Sequence, residues 1–236
     1  MLRLLEADNV SNSQFSGKDT HELYLKNLRS QPTDWLWRDK TVTYTLNSQQ
    51  YRCPEWENCD WANSILIFGC SMVYGVGVDD HDTLPYRLSQ HLNTPVINLG
   101  QGGTGVSFIW ANSIILNEHN INPKAIVYVW PDRSRQTEFL SEHTTSSHGS
   151  WNIKDSWMMP LAVHDTHNYY WTHYTIRSMR QLWKCPIIEA SWYPSMTAVS
   201  QCLHLPFNDL ARDLAHPGPE TLEVCANIIS NKIIQQ

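Results

Sequence analysis

Four short apolar runs punctuate the chain from residue 64 onward: Ser64-Ile-Leu-Ile-Phe-Gly, Pro95-Val-Ile-Asn-Leu, Ala125-Ile-Val-Tyr-Val-Trp and Pro186-Ile-Ile-Glu-Ala. Each is too short for a helix and too continuously apolar for a strand with one wet face, so the runs fit strands buried on both sides of a parallel sheet. The stretches between them read as helices over about 83–93, 105–118 and 161–183. A last helix over about 219–234 follows Pro217-Gly-Pro. Its Pro219 suits the first turn and its Glu220 the positive end of the helix dipole. Strands alternating with helices predict an α/β domain with helices on both faces of the sheet. Such sheets bind ligands at the carboxyl ends of their strands, which directs attention to the residues just after each run.

The chain ahead of residue 63 reads differently. Residues 1–30 are polar and mixed, with Leu23, Leu25 and Leu28 as weak apolar points. Thr41-Val-Thr-Tyr-Thr-Leu alternates as a strand does, and Asn47-Ser-Gln-Gln-Tyr-Arg resembles a turn into a second strand. The expectation is therefore an extension over 1–62 with a short β-hairpin carrying Trp35, Trp37, Trp56 and Trp61, ahead of a domain over 63–236. Residues 131–160 read as a long polar insertion.

Composition excludes several function classes. With 42% hydrophobic residues the chain is not disordered by composition. A formal net charge of −6 without any Lys/Arg cluster argues against nucleic-acid binding. No apolar run approaches the ~18 residues of a membrane span. Met1-Leu-Arg-Leu-Leu is followed at once by Glu6 and Asp8, so no secretory apolar core forms, and a soluble, cytoplasmic protein of cellular, viral or phage origin is expected. The six cysteines (53, 59, 70, 185, 202 and 225) contain no C-x-x-C pair, and reduced thiols are expected, although Cys53 and Cys59 could bridge in an oxidising compartment. Eleven Trp and ten Tyr fit core packing or the aromatic walls of a carbohydrate or apolar site.

Three post-strand loops carry candidate chemistry. In Phe68-Gly-Cys-Ser-Met, Ser71 sits where the first strand turns into the next element, near the backbone N–H groups of a helix start. Asn98-Leu-Gly-Gln-Gly-Gly-Thr-Gly supplies glycines that let backbone approach a ligand closely. It also satisfies G-x-G-x-x-G, but it follows the second strand and lacks a well-placed acidic partner, so dinucleotide binding is the weaker reading. In Asp213-Leu-Ala-His216-Pro-Gly-Pro, Asp213 can turn back onto the imidazole Nδ1–H and leave Nε2 for a nucleophile. Cys70 is an alternative nucleophile, but it and Ser71 are adjacent and cannot both point at His216. His164 and His167 lie three apart on a predicted helix, with His173 further along it, and no acid or Cys completes a metal set.

Together these loops resemble the sequence blocks of the SGNH (GDSL-type) hydrolase superfamily. Ile67-Phe-Gly-Cys-Ser71 matches its first block, Asn98-Leu-Gly-Gln-Gly-Gly103 its second, and Asp213 to Pro217 its last, Asp-x-x-His-Pro. Thr41 to Arg52 also resembles a lead-in found before the first block in some bacterial and phage members. The resemblance covers roughly 64–236. It implies a three-layer α/β/α fold around a mainly parallel, flavodoxin-like sheet. It implies Ser71 as nucleophile, His216 as base and Asp213 as its orienting partner, with the Ser71 and Gly103 amides as oxyanion donors. Two positions depart from the family. Cys70 replaces the Asp of the first block, and Val129-Trp-Pro-Asp-Arg-Ser-Arg stands where the third block has Gly-x-Asn-Asp. A subset of the family carries a Trp with downstream Arg and Glu there, as Trp130, Arg135 and Glu138 do. Trp130, Asp132 and Arg135, together with Glu189 after the fourth strand, are the residues expected to line the substrate site. The implied function is a serine esterase or deacylase acting on a small-molecule or carbohydrate ester, with no metal or organic cofactor. The alternative is an SGNH-like binding or structural module without efficient catalysis.

Overall fold

The structure is a computed structural model and describes residues 2–7, 12–149 and 159–236. The strands are β1 (Glu6–Ala7), β2 (Ile65–Gly69), β3 (Val96–Gly100), β4 (Ala125–Val129), β5 (Gln136–Phe139), β6 (Thr144–His148), β7 (Ile187–Ser191) and β8 (Leu203–His204). The helices are α1 (His21–Ser30), α2 (Ser71–Tyr74), α3 (Leu84–Leu92), α4 (Val106–Glu118), α5 (Met159–Ala162), α6 (Asp165–Met179), α7 (Pro194–Ser200) and α8 (Pro219–Ile234). The four apolar runs form β2, β3, β4 and β7, and the short β8 adds to the β7 edge. The sheet order is β3-β2-β4-β7-β8, parallel throughout.

Side-chain alternation divides the core in two. Ile65, Ile67, Val127, Val129, Ile188 and Ala190 face a cluster that includes Leu84 and Leu88 of α3 and Leu222, Cys225 and Ile229 of α8. Leu66, Phe68, Ile126, Tyr128 and Trp130 face the other, with Phe108 and Ile109 of α4, Met179 of α6 and Met196 of α7. Helices cover both faces, as three-layer packing requires. The order places β2 between β3 and β4, so the residue after β2 emerges at the carboxyl edge with a strand on either side.

The leading segment corrects one expectation. No β-hairpin forms over 41–52, which runs extended without strand pairing into a turn at 48–50. Its backbone groups find partners elsewhere. The Tyr44 N–H donates to Ser13 O, the Thr43 N–H to Asp79 Oδ1 and the Thr45 N–H to Asp80. Local alternation therefore reports burial, not a ladder: Val42 and Tyr44 enter the first core cluster with Trp37, while Tyr51 and Trp56 enter the second. Within the expected polar insertion, β5 and β6 pair antiparallel, and β1 joins them as a small separate sheet. Residues 150–158 of that insertion lie outside the described residues. The helix expected over 161–183 is realised as α6, over 165–179. Among the described residues no helix is long and apolar enough to cross a membrane.

Candidate active site

Strand β2 ends at Gly69, and Ser71 is the first residue of the one-turn helix α2, with Cys70 as its N-cap. Helix starts leave their first backbone N–H groups without intrahelical partners, and Ser71 stands at that start, with the Val73 and Tyr74 N–H groups already turned back to Cys70 O. Residues 209–218 approach it from the other end of the chain. There Leu210 bridges Pro217 and the Ala211 N–H donates to His216 O at 2.8 Å, closing a tight loop. At the tip of that loop Leu214 takes a left-handed conformation, φ +57°, which a leucine adopts only under local constraint. The constraint is Asp213: its Oδ1 accepts the N–H groups of Ala215 and His216, both at 3.1 Å.

Asp213 Oδ2 lies 2.5 Å from His216 Nδ1, and His216 Nε2 lies 2.8 Å from Ser71 Oγ. An ionised carboxylate only accepts, so Nδ1 carries the proton and Nε2 is left to accept from the Ser71 hydroxyl. The Asp213 side chain is fully covered, while His216 keeps 12% of its ring exposed. Burial acts to raise the Asp213 carboxyl. The hydrogen bond and charge of His216 and the two amides outweigh it and hold the carboxyl below its ordinary 3.8.

Asp79 and Asp132 are held below 3.8 in the same way, burial being outweighed by hydrogen bonds from His81 and Thr43 and from Ser134 and Ser195 respectively. A carboxyl depressed on folding contributes stability above its unfolded value and loses it as pH falls through its folded one. Stability is therefore expected to hold down to about pH 4 and to fall below it. Thermal midpoints measured between pH 6 and pH 2 check this, and Asp213→Asn should make the acid limb shallower.

Gly77, six residues after Ser71, shows why a glycine is needed between the two loops. Its φ is +80°, and a Cβ there would lie 2.9 Å from Ala211 Cβ and 3.2 Å from Arg212 N. The glycine-rich loop after β3 is packed as closely. A Cβ on Gly105 would lie 2.7 Å from the carbonyl oxygen of Arg135. Gly103, φ +77°, lies in the turn leading to α4.

The other expected residues separate into two groups. Asp132 and Arg135 stand at the carboxyl edge. Asp132 Oδ1 accepts from Ser134, and Oδ2 accepts from Ser195 Oγ at 3.0 Å. The Arg135 guanidinium donates to Tyr193 Oη at 2.8 Å and lies against the Cys70 sulfur, beside Ser71. Trp130 and Glu189 are not brought to this site, which corrects their placement as substrate-lining residues. Trp130 is 1% exposed and stacks on Tyr128 at 4.6 Å. Its Nε1–H donates to Glu189 Oε2 at 2.9 Å, and Glu189 Oε1 accepts from Arg180 at the end of α6. Both lie on the face of the sheet covered by α4, α6 and α7, and each satisfies the other inside the fold. Glu138 pairs with His148 at 3.1 Å, across the β5–β6 ribbon. His164 caps α6 by accepting the His167 N–H at 3.1 Å.

Sequence reasoning missed a set of residues that hold the two loops. Arg52 donates to the carbonyls of Gly75 (2.6 Å) and Val78 (2.8 Å), just after α2. Arg212, next to Asp213, pairs with Asp19 at 2.7 Å in the interior. Only the lead-in ending at Arg52 pointed to any of this; Asp19 and Arg212 carry no periodic or spacing signal.

Comparison of the sequence with protein-family models and with curated proteins gives no match. Comparison of the fold does. A family two carbohydrate esterase from Clostridium thermocellum, solved in complex with cellohexaose, superposes with a TM-score of 0.51 at 12% identity over 73% of this chain and 64% of that one. An active-site mutant of a family two carbohydrate esterase from the same organism gives 0.51 at 12% identity, over 74% and 64%. The chain thus spans slightly less than two thirds of these esterases' length. A G-D-S-L family lipolytic protein from Veillonella parvula is matched over 99% of its length, at 13% identity and a TM-score of 0.46 over 73% of this chain. With its five-stranded parallel sheet between helical layers, this chain has an SGNH/GDSL hydrolase-like fold.

Proposed function

We propose that the protein is a serine esterase or deacylase acting on a carboxylic ester. The observation that carries this reading is the hydrogen-bonded chain Ser71–His216–Asp213, at 2.8 and 2.5 Å, on the carboxyl edge of the sheet. His216 Nε2 takes the hydroxyl proton as Ser71 Oγ attacks the acyl carbonyl. The carbonyl electron pair moves onto oxygen, where the backbone N–H groups of Ser71 and Gly103 receive it. The tetrahedral adduct expels the alkoxide, which takes the proton from His216 and leaves as the alcohol. A water molecule, deprotonated by His216, then attacks the acyl carbon; the bond to Ser71 Oγ breaks, the acid leaves, and His216 returns the proton to Ser71. Asp213 holds the imidazole in one tautomer throughout and balances the imidazolium. Asp132 and Arg135, at the same edge, are the residues that would contact the substrate.

The carbohydrate esterases of like fold support an O-acylated carbohydrate as the ester. The test is turnover by the full chain of p-nitrophenyl acetate and of an acetylated oligosaccharide. Release of p-nitrophenol and of acetate above background supports the reading, and a higher kcat/KM on the oligosaccharide supports the carbohydrate assignment. Background rates on both substrates contradict it.

One observation favours a second reading, a carbohydrate-binding module without efficient turnover. After β4 the chain presents a buried Trp130 and then Pro131, which has no N–H, so neither supplies an oxyanion donor. One missing donor can slow acyl transfer by ~10²–10³. Binding of the oligosaccharide without acetate release is the outcome that reading expects.

A further inference from the structure

We propose that Asp19 and Tyr44, both far ahead of the sheet in sequence, are positioning residues that set the Ser71–His216 contact. This rests on Ser71 and His216 being nucleophile and base. Those two residues lie 145 positions apart, on loops that share no strand or helix. Their separation therefore depends on what holds the loop after α2 against residues 209–218.

Asp19 is 1% exposed and serves both loops. Toward the serine side, its Oδ2 accepts from the Tyr44 hydroxyl at 2.7 Å, and the Tyr44 oxygen accepts the Gly77 N–H at 2.7 Å. Toward the histidine side, Oδ2 accepts from Arg212 Nη2 at 2.7 Å and Oδ1 from Arg212 Nε at 3.0 Å. The Arg212 N–H donates to Gly77 O at 3.0 Å, and the next residue is Asp213. The Arg212 guanidinium lies 4.7 Å from the Phe15 ring and 5.1 Å from the Tyr24 ring, and its carbonyl accepts from Asn27 Nδ2 at 3.0 Å. Phe15, Asp19, Tyr24 and Asn27 all belong to the leading segment, which contributes no atom to the triad.

A buried ion pair is a poor device for stability, because desolvating two charges offsets most of their attraction. Its directional bonds do fix geometry. Here Gly77 joins the two loops: its N–H donates to Tyr44, its carbonyl accepts from the Arg212 N–H, and Asp19 ties Tyr44 to the Arg212 side chain. Misplacing a reacting group by about 1 Å can cost ~10² in rate, so a clamp of this kind acts on kcat.

The experiment compares full-length wild type with Tyr44→Phe and Asp19→Asn. Tyr44→Phe keeps the ring and the ion pair and removes only the bridging oxygen, so folding is expected to survive, as checked by circular dichroism. The readouts are kcat and KM for p-nitrophenyl acetate, and the His216 Nδ1–H resonance in ¹⁵N-histidine-labelled protein. Tyr44→Phe is expected to lower kcat about 10-fold with KM changed less than about twofold, and to move or broaden the His216 proton signal. Asp19→Asn should show the same pattern more strongly. A folded Tyr44→Phe with wild-type kcat and an unmoved His216 resonance overturns the proposal, whatever becomes of Asp19→Asn. If wild type turns over no ester, the esterase reading fails, and the His216 resonance alone still decides whether the clamp sets that residue's environment.

Discussion

Ser71→Ala is expected to lower kcat for p-nitrophenyl acetate by roughly 10³-fold or more, while the protein keeps its fold. In a nucleophile–base–acid unit, removing the nucleophile forfeits the covalent route and leaves only the contribution of binding and oxyanion donors. The geometry here makes Ser71 the sole hydroxyl on His216 Nε2 among the described residues, at 2.8 Å. The neighbouring Cys70 does not meet His216: its side chain is buried and turned to Arg135, while Nε2 faces the Ser71 hydroxyl. The structural effect is small, within about 1 kcal/mol, because His216 is partly exposed and can bond water in place of the hydroxyl. Steady-state kinetics together with a thermal melt check both halves. A loss of activity with an unchanged melt is the expected pair.

Trp130→Ala is expected to destabilise the protein by about 3–5 kcal/mol, the range for emptying a buried Trp site. In a chain of this length that lowers the melting temperature by on the order of 10 °C. Two terms contribute. The indole packs against Tyr128 in the core cluster shared by α4, α6 and α7, and its removal leaves a cavity there. Glu189 also loses the indole N–H, its bond to the interior, and keeps only Arg180. Trp130→Phe should fall between wild type and Ala, because it restores much of the volume and not the hydrogen bond. Chemical denaturation of the three forms measures the difference. If Trp130 were a wall of the substrate site, Trp130→Ala would raise KM and leave the melt alone.

That contrast shows what the sequence reveals and where it stops. The strands were legible because burial on both faces leaves an unbroken apolar run, which few other environments tolerate. The Asp213–His216 element was legible because its geometry is local: three residues and a turn suffice to bring carboxylate and imidazole together. Ser71 was legible from its position after β2. Trp130 and Glu189 were placed at the site because they end or follow strands, yet alternation already assigns them otherwise. Trp130 shares a face with Ile126 and Tyr128, and Glu189 pairs with Tyr128 across β4 and β7. Counting by twos along each strand puts both on the buried face beneath α4, α6 and α7, not at the carboxyl edge. The missing hairpin has another cause. Thr41 to Leu46 alternates as a strand does, but its hydrogen-bond partners are Ser13, Asp79 and Asp80, residues that no local rule connects to it. The Asp19–Arg212 pair joins positions 193 apart and is invisible until the chain is folded.

The central claim is that Ser71 is a hydroxyl activated by His216. Intact and peptide mass spectrometry after treatment with a fluorophosphonate tests it without knowledge of the natural substrate. One adduct on the peptide bearing Ser71, strongly reduced in His216→Ala and absent in Ser71→Ala, is the predicted result. A folded wild-type protein that takes no adduct, or takes it elsewhere with Ser71 unmodified, would contradict it.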